Sequence, residues 1–209
     1  MVNLYKIIFL IPVLLTFGCK NNSLENTKLI QEIDSLDMKI FSNEGKKIYS
    51  IKSPNSSYDI ERSVFDLKST TIHLFEGKNT KYIINSDESK LSNNNKRLEL
   101  SGNVKLKSLF LDDDISLTAN NFIWNIDESK YLLEGEVEFE NKNIILRSDK
   151  ATLNNEDIIE FFNPVNYILK DEYNEKKYEI NSENAFYNIN TESLSFGANE
   201  KRVRSILYF

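Results

Sequence analysis

Cysteine and histidine, two residue types common in catalytic and metal sites, each occur only once in this 209-residue chain. Its single cysteine, Cys19, excludes an internal disulfide, and its single histidine, His73, argues against a zinc site or a histidine-based catalytic relay. His73 lies in an apolar stretch, so we expect a partly exposed strand residue. The run Asp112–Asp114 has no further spaced oxygen ligands for calcium, and we expect a solvated loop there. The sequence therefore predicts no enzyme activity, no metal and no cofactor.

Composition and charge narrow the class of protein further. Apolar residues make up 40% of the chain and aromatic residues 11%, which is enough for a packed core. The length allows one domain of ordinary size, or at most two small ones. The formal charge is −6 and no basic cluster occurs, so nucleic-acid binding is not expected, because neutralising phosphates requires concentrated lysine and arginine.

The N-terminus has the features of an export signal. Lys6 precedes the apolar stretch Ile7–Phe17, and Gly18-Cys19 ends it. Eleven apolar residues are too few for a membrane-spanning helix, which needs about 20. A cysteine after a small residue at this place resembles a bacterial lipoprotein processing site, which predicts cleavage before Cys19 and lipidation of its sulfur. An uncleaved short anchor, or a cleaved signal with an incidental cysteine, are the alternatives.

These signals divide the chain into three parts. Residues 1–18 are the signal peptide or short anchor, residues 19–36 a tether, and residues 37–209 the folded domain. The polar start of the tether suits a flexible spacer. Its end, Lys28–Leu36, carries apolar residues at a spacing that also allows a short helix.

An internal repeat runs through the chain from Lys47 onward. Each copy has apolar residues at offsets 0 and 2, small residues at offsets 4 and 7, and a large apolar residue at offset 9. Phe122 is the one large residue at the second small position. The copies start 33, 33, 29 and 34 residues apart. They are Tyr49, Ile51, Ser53, Ser56, Tyr58; Tyr82, Ile84, Ser86, Ser89, Leu91; Ile115, Leu117, Ala119, Phe122, Trp124; Ile144, Leu146, Ser148, Ala151, Leu153; and Tyr178, Ile180, Ser182, Ala185, Tyr187.

The offsets are those of a bent β-strand. Alternate residues point to one face of a strand, and the three-residue step between offsets 4 and 7 adds one residue. A β-bulge at this step restores the inward direction, so each copy is expected to bend there. A return strand follows each copy after a turn rich in Asn, Asp and Ser. The clearest return strands alternate at Leu98, Leu100, Gly102, Val104, Leu106; Tyr131, Leu133, Gly135, Val137, Phe139; and Ile159, Phe161, Asn163, Val165, Tyr167.

Five bent hairpins and one preceding strand, Asp37–Phe41, predict an all-β fold. The expected architecture is an antiparallel β-jelly-roll or folded half-pipe of about ten to eleven strands, because an apolar sheet face must be covered. If the folded sheet is held slightly open, its inward side chains line an apolar groove; if not, they form a solid core. The candidate groove residues are Ile84, Leu98, Leu100, Val104, Leu106, Ile115, Leu117, Phe122, Trp124, Leu133, Val137, Phe139, Ile144, Leu146 and Phe161.

The last repeat copy has no sixth unit beyond it. Its return strand begins with Leu194 and Phe196, then changes to the charged run Glu200–Arg202 and ends with the apolar residues Ile206–Phe209. An exposed strand edge pairs with strands of other chains unless it is blocked. We predict a docking edge here; the alternative is a tail that folds back and covers the open end of the sheet.

Together these features resemble the LptC family, the membrane-anchored periplasmic component of lipopolysaccharide export, and its OstA-like relatives. The resemblance covers roughly Met38 to Phe196 and includes the turn before Gly45. Asn163-Pro164 stands where the earlier return strands have glycine. The matching segments are Ile51-Lys52-Ser53, Tyr58, Ile84–Ser89, Leu98–Val104, Leu117–Ala119 and Leu132–Val137.

The resemblance implies a function and partners. A β-jelly-roll of this family receives lipopolysaccharide, or a related glycolipid, from an inner-membrane ABC transporter. It passes the lipid to a soluble, LptA-like β-jelly-roll in a periplasmic bridge to the outer membrane. The chain would then be periplasmic and anchored to the inner membrane of a Gram-negative-type bacterium. Two other classes stay open: a lipocalin-like binder of one small apolar ligand, and a structural or adhesive surface lipoprotein with a solid β core.

Overall fold

The computed structural model describes residues 29–92, 94–109, 115–128, 130–154, 156–198 and 202–208. These residues form an all-β structure with one short 3-10 turn at Ile126–Glu128, which confirms the predicted fold class. No helix among them is long and apolar enough to cross a membrane. The strands are β1 Ile30–Phe41, β2 Lys47–Asp59, β3 Val64–Glu76, β4 Asn79–Ser92, β5 Arg97–Ser108, β6 Ser116–Asn125, β7 Lys130–Asn141, β8 Ile144–Leu153, β9 Ile158–Lys170, β10 Lys176–Asn188, β11 Ser193–Gly197 and β12 Arg204–Leu207.

All strands belong to one antiparallel sheet. Strands β1 to β11 lie side by side in sequence order, and β12 pairs with β10 beside β11. The repeat copies form β2, β4, β6, β8 and β10, each followed by its return strand. This is the predicted folded half-pipe, whose first and last strands are not paired with each other. It has 12 strands instead of ten or eleven, because the C-terminal tail adds β12.

The first strand is longer than the sequence pattern predicted. It begins at Ile30, which lies opposite Asp59 of β2, and the two strands are paired from there onward. The suggested helix over this segment is therefore wrong. Ser35 has a left-handed backbone (φ 60°), and the half-buried residues on either side of it are Ile33 and Leu36. The three-residue step between those two side chains is the step of a bent strand, and it resembles a helical spacing.

A register shift marks four of the five predicted bends, and in the first copy Ser53 and Ser56 are both buried although the register does not shift. In the first copy, Lys52 pairs with Thr71 and Asn55 with Lys68, so the register does not shift and the expected bulge is absent. The left-handed Ser69 (φ 49°) of β3 lies in this gap instead. In the other copies, the register shifts within the three-residue step, between Asn85 and Glu88, Thr118 and Asn121, Arg147 and Lys150, and Ser182 and Asn184.

Two return strands bend at glycine. Gly102 and Gly135 have φ of +71° and +78°, a conformation that residues with a Cβ adopt at a cost. A Cβ on Gly102 would lie 2.7 Å from Oδ2 of Asp87, and a Cβ on Gly135 would lie 3.1 Å from Cβ of Asn120. Glycine is therefore required both by the backbone and by the neighbouring strand. In β9 the corresponding bend has the cis peptide Asn163-Pro164.

The bends let the two halves of the sheet enclose one core. Residues before and after the bends belong to a single cluster of buried apolar side chains. Tyr49, near the start of β2, contacts Trp124, near the end of β6, with ring centroids 5.2 Å apart. Contacts between a strand start and a distant strand end show that the two halves of the bent strands face each other. We call the strand ends and turns that meet in this way the rim.

Candidate functional site

The predicted groove residues all lie on the inward face of the sheet. Fourteen of the fifteen are at most 4% exposed, and Ile144 is half-buried and packs against the others. Small residues lie beside the bends, where Ser86 and Ser89 are buried with their hydroxyl oxygens 2.8 Å apart. The structure thus brings the predicted residues together in one continuous apolar surface. Its two halves are packed against each other, and these side chains form one core in this structure.

A polar contact crosses the rim near the start of the sheet. The Tyr49 hydroxyl donates a hydrogen bond to the backbone carbonyl of Asn95, 2.8 Å away, in the turn between β4 and β5. The Tyr49 ring is fully buried in the groove. Burial raises the pKa of the Tyr49 phenol, so the hydroxyl stays a donor. One side chain therefore combines an apolar wall with a polar connection across the rim.

A second rim contact is charged. Asp157 lies in the turn between β8 and β9, has a left-handed backbone (φ 58°) and is 8% exposed. Its Oδ1 accepts a hydrogen bond of 2.7 Å from the Tyr82 hydroxyl, and its Oδ2 accepts one of 2.9 Å from Lys81 Nζ. Burial, and then the Asp157 carboxylate, raise the pKa of the Tyr82 phenol. The carboxylate thus joins the start of β4 to a turn more than 70 residues further along the chain.

A third rim contact connects the later strands. Asn141, at the end of β7, is 1% exposed, and its Nδ2 donates a hydrogen bond of 2.7 Å to the Tyr187 hydroxyl. The Tyr187 ring packs on Phe139 with centroids 4.5 Å apart. Together, the three rim contacts connect the two halves of the sheet at positions spread along it. Their tyrosines occupy the first or last position of the repeat.

The sequence identified one side of each rim contact and missed the other. The tyrosines stood out because they occupy apolar repeat positions, but nothing in the repeat indicated their partners Asn95, Asn141 and Asp157. These lie in or beside turns rich in Asn and Asp, where one more polar residue carries no distinct signal. Only the folding of one half of the sheet over the other brings each pair together.

An aromatic cluster lies beneath the first rim contact. Trp124 packs between Tyr49, at 5.2 Å, and Tyr131, at 5.4 Å between ring centroids. Trp124 is 4% exposed, and its Nε1 has no hydrogen-bond partner among the described residues. Burial raises the pKa of the Tyr131 phenol to about 12. This part of the groove is therefore apolar but carries one unused donor.

The outward face of the sheet is polar and charged. Ion pairs connect neighbouring strands there, including Lys150 with Glu134 at 2.9 Å and Arg147 with Glu138 at 2.6 Å. A broad depression on this face is lined mainly by charged and amide side chains, such as Glu88. Acyl chains gain nothing from such a surface, so any binding of lipid chains must use the inward face.

The C-terminal edge of the sheet consists of two short strands. Both pair with β10: β11 lies along Asn184–Asn188 of β10, and β12 lies along Tyr178–Asn181 of β10. All four residues of β12 are exposed, and Leu207 is 62% exposed. The Tyr208 hydroxyl donates a hydrogen bond of 3.1 Å to Oε2 of Glu179 in β10. The tail therefore lies along the edge strand and still presents apolar side chains to solvent.

Other residues singled out in the sequence are only partly placed. His73 is a half-buried residue of β3 whose ring stacks on Phe75, with centroids 6.4 Å apart, so the expectation of a strand residue is confirmed. Cys19 and the run Asp112–Asp114 lie outside the residues that the structure describes.

Comparison with known proteins identifies one matching family. The family model LptC, described as lipopolysaccharide-assembly, LptC-related, matches residues 20–157. LptH from Pseudomonas aeruginosa, described as the LptA-homologous periplasmic component of the lipopolysaccharide transport device, aligns with 6% sequence identity and a TM-score of 0.44. That alignment covers 77% of this chain and 94% of LptH. No curated protein matches this chain in sequence.

Proposed function

Because the chain belongs to the LptC family of lipopolysaccharide-assembly proteins, we propose that its apolar groove holds lipopolysaccharide acyl chains during transport. Lipopolysaccharide transport is the general function of the family. The observation that carries the proposal is the single continuous inward surface formed by all fifteen predicted groove residues. A surface of this length offers a path along which an acyl chain can move.

The physical chemistry of the groove suits transfer of lipid. Each methylene removed from water contributes about 0.8 kcal/mol, so an acyl chain binds an apolar wall without any charged contact. Contacts spread over many aliphatic and aromatic side chains hold the lipid without a single strong site. The two halves of the groove are packed against each other, so they must separate when a chain enters. That motion breaks the rim contacts. A typical hydrogen bond contributes only about 0.5–1.5 kcal/mol to the free energy of unfolding.

The proposal includes the place of the chain in the transport machinery. We place it in the periplasm, held at the inner membrane through a lipidated Cys19 and the tether that follows. There it receives lipopolysaccharide from an inner-membrane ABC transporter and passes it to a soluble, LptA-like β-jelly-roll. In this role the chain is not an enzyme, and ATP hydrolysis occurs in the transporter.

A second candidate function has one observation in its favour. The inward residues pack tightly against one another, as expected for a structural or adhesive surface lipoprotein with a solid core. Such a protein never separates the halves of its sheet. Lipid contact at inward positions in living cells therefore distinguishes the two functions.

Site-specific photo-crosslinking in cells tests the proposal. Leu117 is 1% exposed on the inward face of β6, and its neighbour Ser116 points outward from the same strand. We expect a photoreactive amino acid at Leu117 to capture lipopolysaccharide and the same amino acid at Ser116 to capture none. This neighbouring pair is a matched control, since both positions share one strand and one level of expression.

The outcomes separate the two functions. Capture at Leu117 alone supports the groove. Equal capture at both positions shows that lipid contact does not distinguish the inward face from the outer surface, and no capture at either position favours the solid core. In both of the latter cases the proposal is wrong.

A further inference from the structure

The indole N–H of Trp124 is an unused hydrogen-bond donor inside the groove. The side chain is 4% exposed, and Nε1 has no acceptor among the described residues. Buried polar groups are nearly always hydrogen-bonded, and each exception calls for an explanation. The Tyr49 and Tyr131 rings beside it offer at most a weak N–H to π contact. A carbonyl oxygen is a much better acceptor for this donor.

The position of Trp124 within the repeat makes this donor exceptional. It occupies the last repeat position, which in the copies on either side is filled by Leu91 and Leu153, both fully buried. Tyr187 at the same position of the fifth copy already accepts a hydrogen bond from Asn141. The copies before and after Trp124 thus have an apolar side chain at this position, whereas Trp124 adds a hydrogen-bond donor.

Trp124 also lies close to the rim. It contacts Tyr49, whose hydroxyl reaches the rim and bonds to the Asn95 carbonyl at 2.8 Å. A glycolipid with its chain in the groove and its sugar outside must place the linkage between them just below the rim. In acyl glycolipids that linkage is an ester or an amide, and its carbonyl oxygen is a strong acceptor.

We propose that the Trp124 indole N–H donates a hydrogen bond to the ester or amide carbonyl that joins an acyl chain to its sugar. This inference rests on the proposed function, since it assigns one polar contact within the same groove. It makes Trp124 a residue that recognises acyl linkages and fixes how deep the chain enters. A chain of equal length joined through a glycosidic oxygen fits the apolar wall but offers the donor only a weak acceptor.

Two detergents with matched chains and heads test this inference on the full chain. Dodecyl maltoside has a glycosidic linkage without a carbonyl, and sucrose monolaurate has an ester linkage; both carry a twelve-carbon chain and a disaccharide. Native mass spectrometry from an equimolar mixture gives the ratio of ester to glycoside adducts retained on the protein. We expect this ratio to fall roughly two- to tenfold in Trp124→Phe, the loss expected for one hydrogen bond.

Two further substitutions isolate the N–H group. Tyr173→Phe removes the hydroxyl of an exposed tyrosine in the turn between β9 and β10, outside the aromatic cluster, and should leave the ratio unchanged. Biosynthetic incorporation of benzothienylalanine in place of tryptophan replaces the indole N–H by sulfur. Because Trp124 is the only tryptophan of the chain, no other position changes. That variant keeps the ring shape, and it should lower the ratio as much as Trp124→Phe even if the phenylalanine variant folds poorly.

A spectroscopic measurement reports on the bond directly. The single indole gives one N–H cross-peak in an NMR spectrum of the full chain in dodecyl maltoside, and sucrose monolaurate should move its proton downfield. An unchanged cross-peak together with an unchanged adduct ratio in the benzothienylalanine variant would overturn the inference. If lipopolysaccharide is nevertheless captured from Leu117, the proposed function stands and only the role of Trp124 is wrong. If no lipid is captured from Leu117 either, the groove itself is disproved.

Discussion

The Tyr82 hydroxyl lies 2.7 Å from Oδ1 of Asp157, although 75 residues separate the two along the chain. Tyr82 begins the second repeat copy, and Asp157 lies in the turn that follows the fourth. Their strands are not neighbours in the sheet, so this bond connects the two halves of the folded sheet across the rim. Lys81 Nζ at 2.9 Å from Oδ2 completes the contact.

Replacing Asp157 tests the strength of this connection. Asp157→Ala leaves the buried Tyr82 hydroxyl without its acceptor, so we expect the free energy of unfolding to fall by about 1–3 kcal/mol. Urea denaturation measures the change. Glu156→Ala is the matched control, because Glu156 is the exposed preceding residue of the same turn, and its effect should stay within about 0.5 kcal/mol. Equal stability of the two variants would show that the contact across the rim is energetically unimportant.

Much of the fold was predictable because side-chain direction in a strand alternates strictly. The repeat offsets identified β2, β4, β6, β8 and β10, and the three-residue step located the bends, four of which have a register shift. The same step misled the interpretation of β1, where Ile33 and Leu36 flank Ser35 and resemble a helical face. A single step of three residues does not distinguish a bent strand from a helix without a partner strand.

The Gly135 bend predicts a cost for any side chain. Gly135→Ala forces alanine into a left-handed backbone of φ +78° and places its Cβ 3.1 Å from Cβ of Asn120. We expect a loss of at least about 1–2 kcal/mol in the free energy of unfolding. Gly77→Ala is the control, because Gly77 has φ +62° and nothing lies within 4 Å of its added Cβ. The difference in the free energy of unfolding between the two variants measures the cost of the contact with Asn120. Equal effects would mean that β6 shifts to accommodate the added Cβ at no measurable cost.

The inward surface was predictable from the sequence, but its closing contacts and its unused donor were not. The alternation of side chains along each strand assigns Leu117 and Phe139 to the inner face independently of the rest of the fold. Whether Trp124 Nε1 finds an acceptor depends on which turn reaches it from the other half of the sheet. No local pattern encodes that relationship, since it arises from the twist and bend of the whole sheet.

The N-terminal sequence predicts a processed and lipidated mature protein. We expect the mature protein to begin at Cys19 and to carry fatty acyl groups, because the apolar stretch Ile7–Phe17 is too short to span a bilayer. Mass spectrometry of the membrane fraction measures the mass of the N-terminal peptide. Cys19→Ser should abolish acylation and cleavage before residue 19. A mature protein that retains Met1 would contradict the prediction and indicate an uncleaved anchor.

Glu179 makes the attachment of the C-terminal tail sensitive to acid. Hydrogen bonds from Lys176, Tyr208, Asn166 and Asn181 lower the pKa of its carboxyl from 4.5 to about 2. The stabilisation from the carboxylate is therefore fully present above pH 4.5 and is lost as the pH falls towards 2. We expect hydrogen exchange in β12 to increase over this interval.

A matched pair of variants checks the acid response. Glu179→Gln should show increased exchange in β12 at neutral pH and little further change on acidification. Glu175→Gln, at an exposed neighbouring position, should behave like the wild type. An acid response that persists in Glu179→Gln would assign it to another group.

The C-terminal edge makes the last prediction, which separates docking from capping. β12 pairs with β10 through four residues whose side chains are all exposed, so it adds little buried apolar area to the fold. We therefore expect deletion of Arg204–Phe209 to leave the melting temperature nearly unchanged. The same deletion should abolish co-purification with the soluble β-jelly-roll partner, because it removes the exposed Ile206 and Leu207 from the edge. Replacing both of these residues by serine is the control, since it keeps the backbone pairing and should also weaken docking. A large loss of thermal stability with partner binding retained would instead show that the tail is a cap on the sheet.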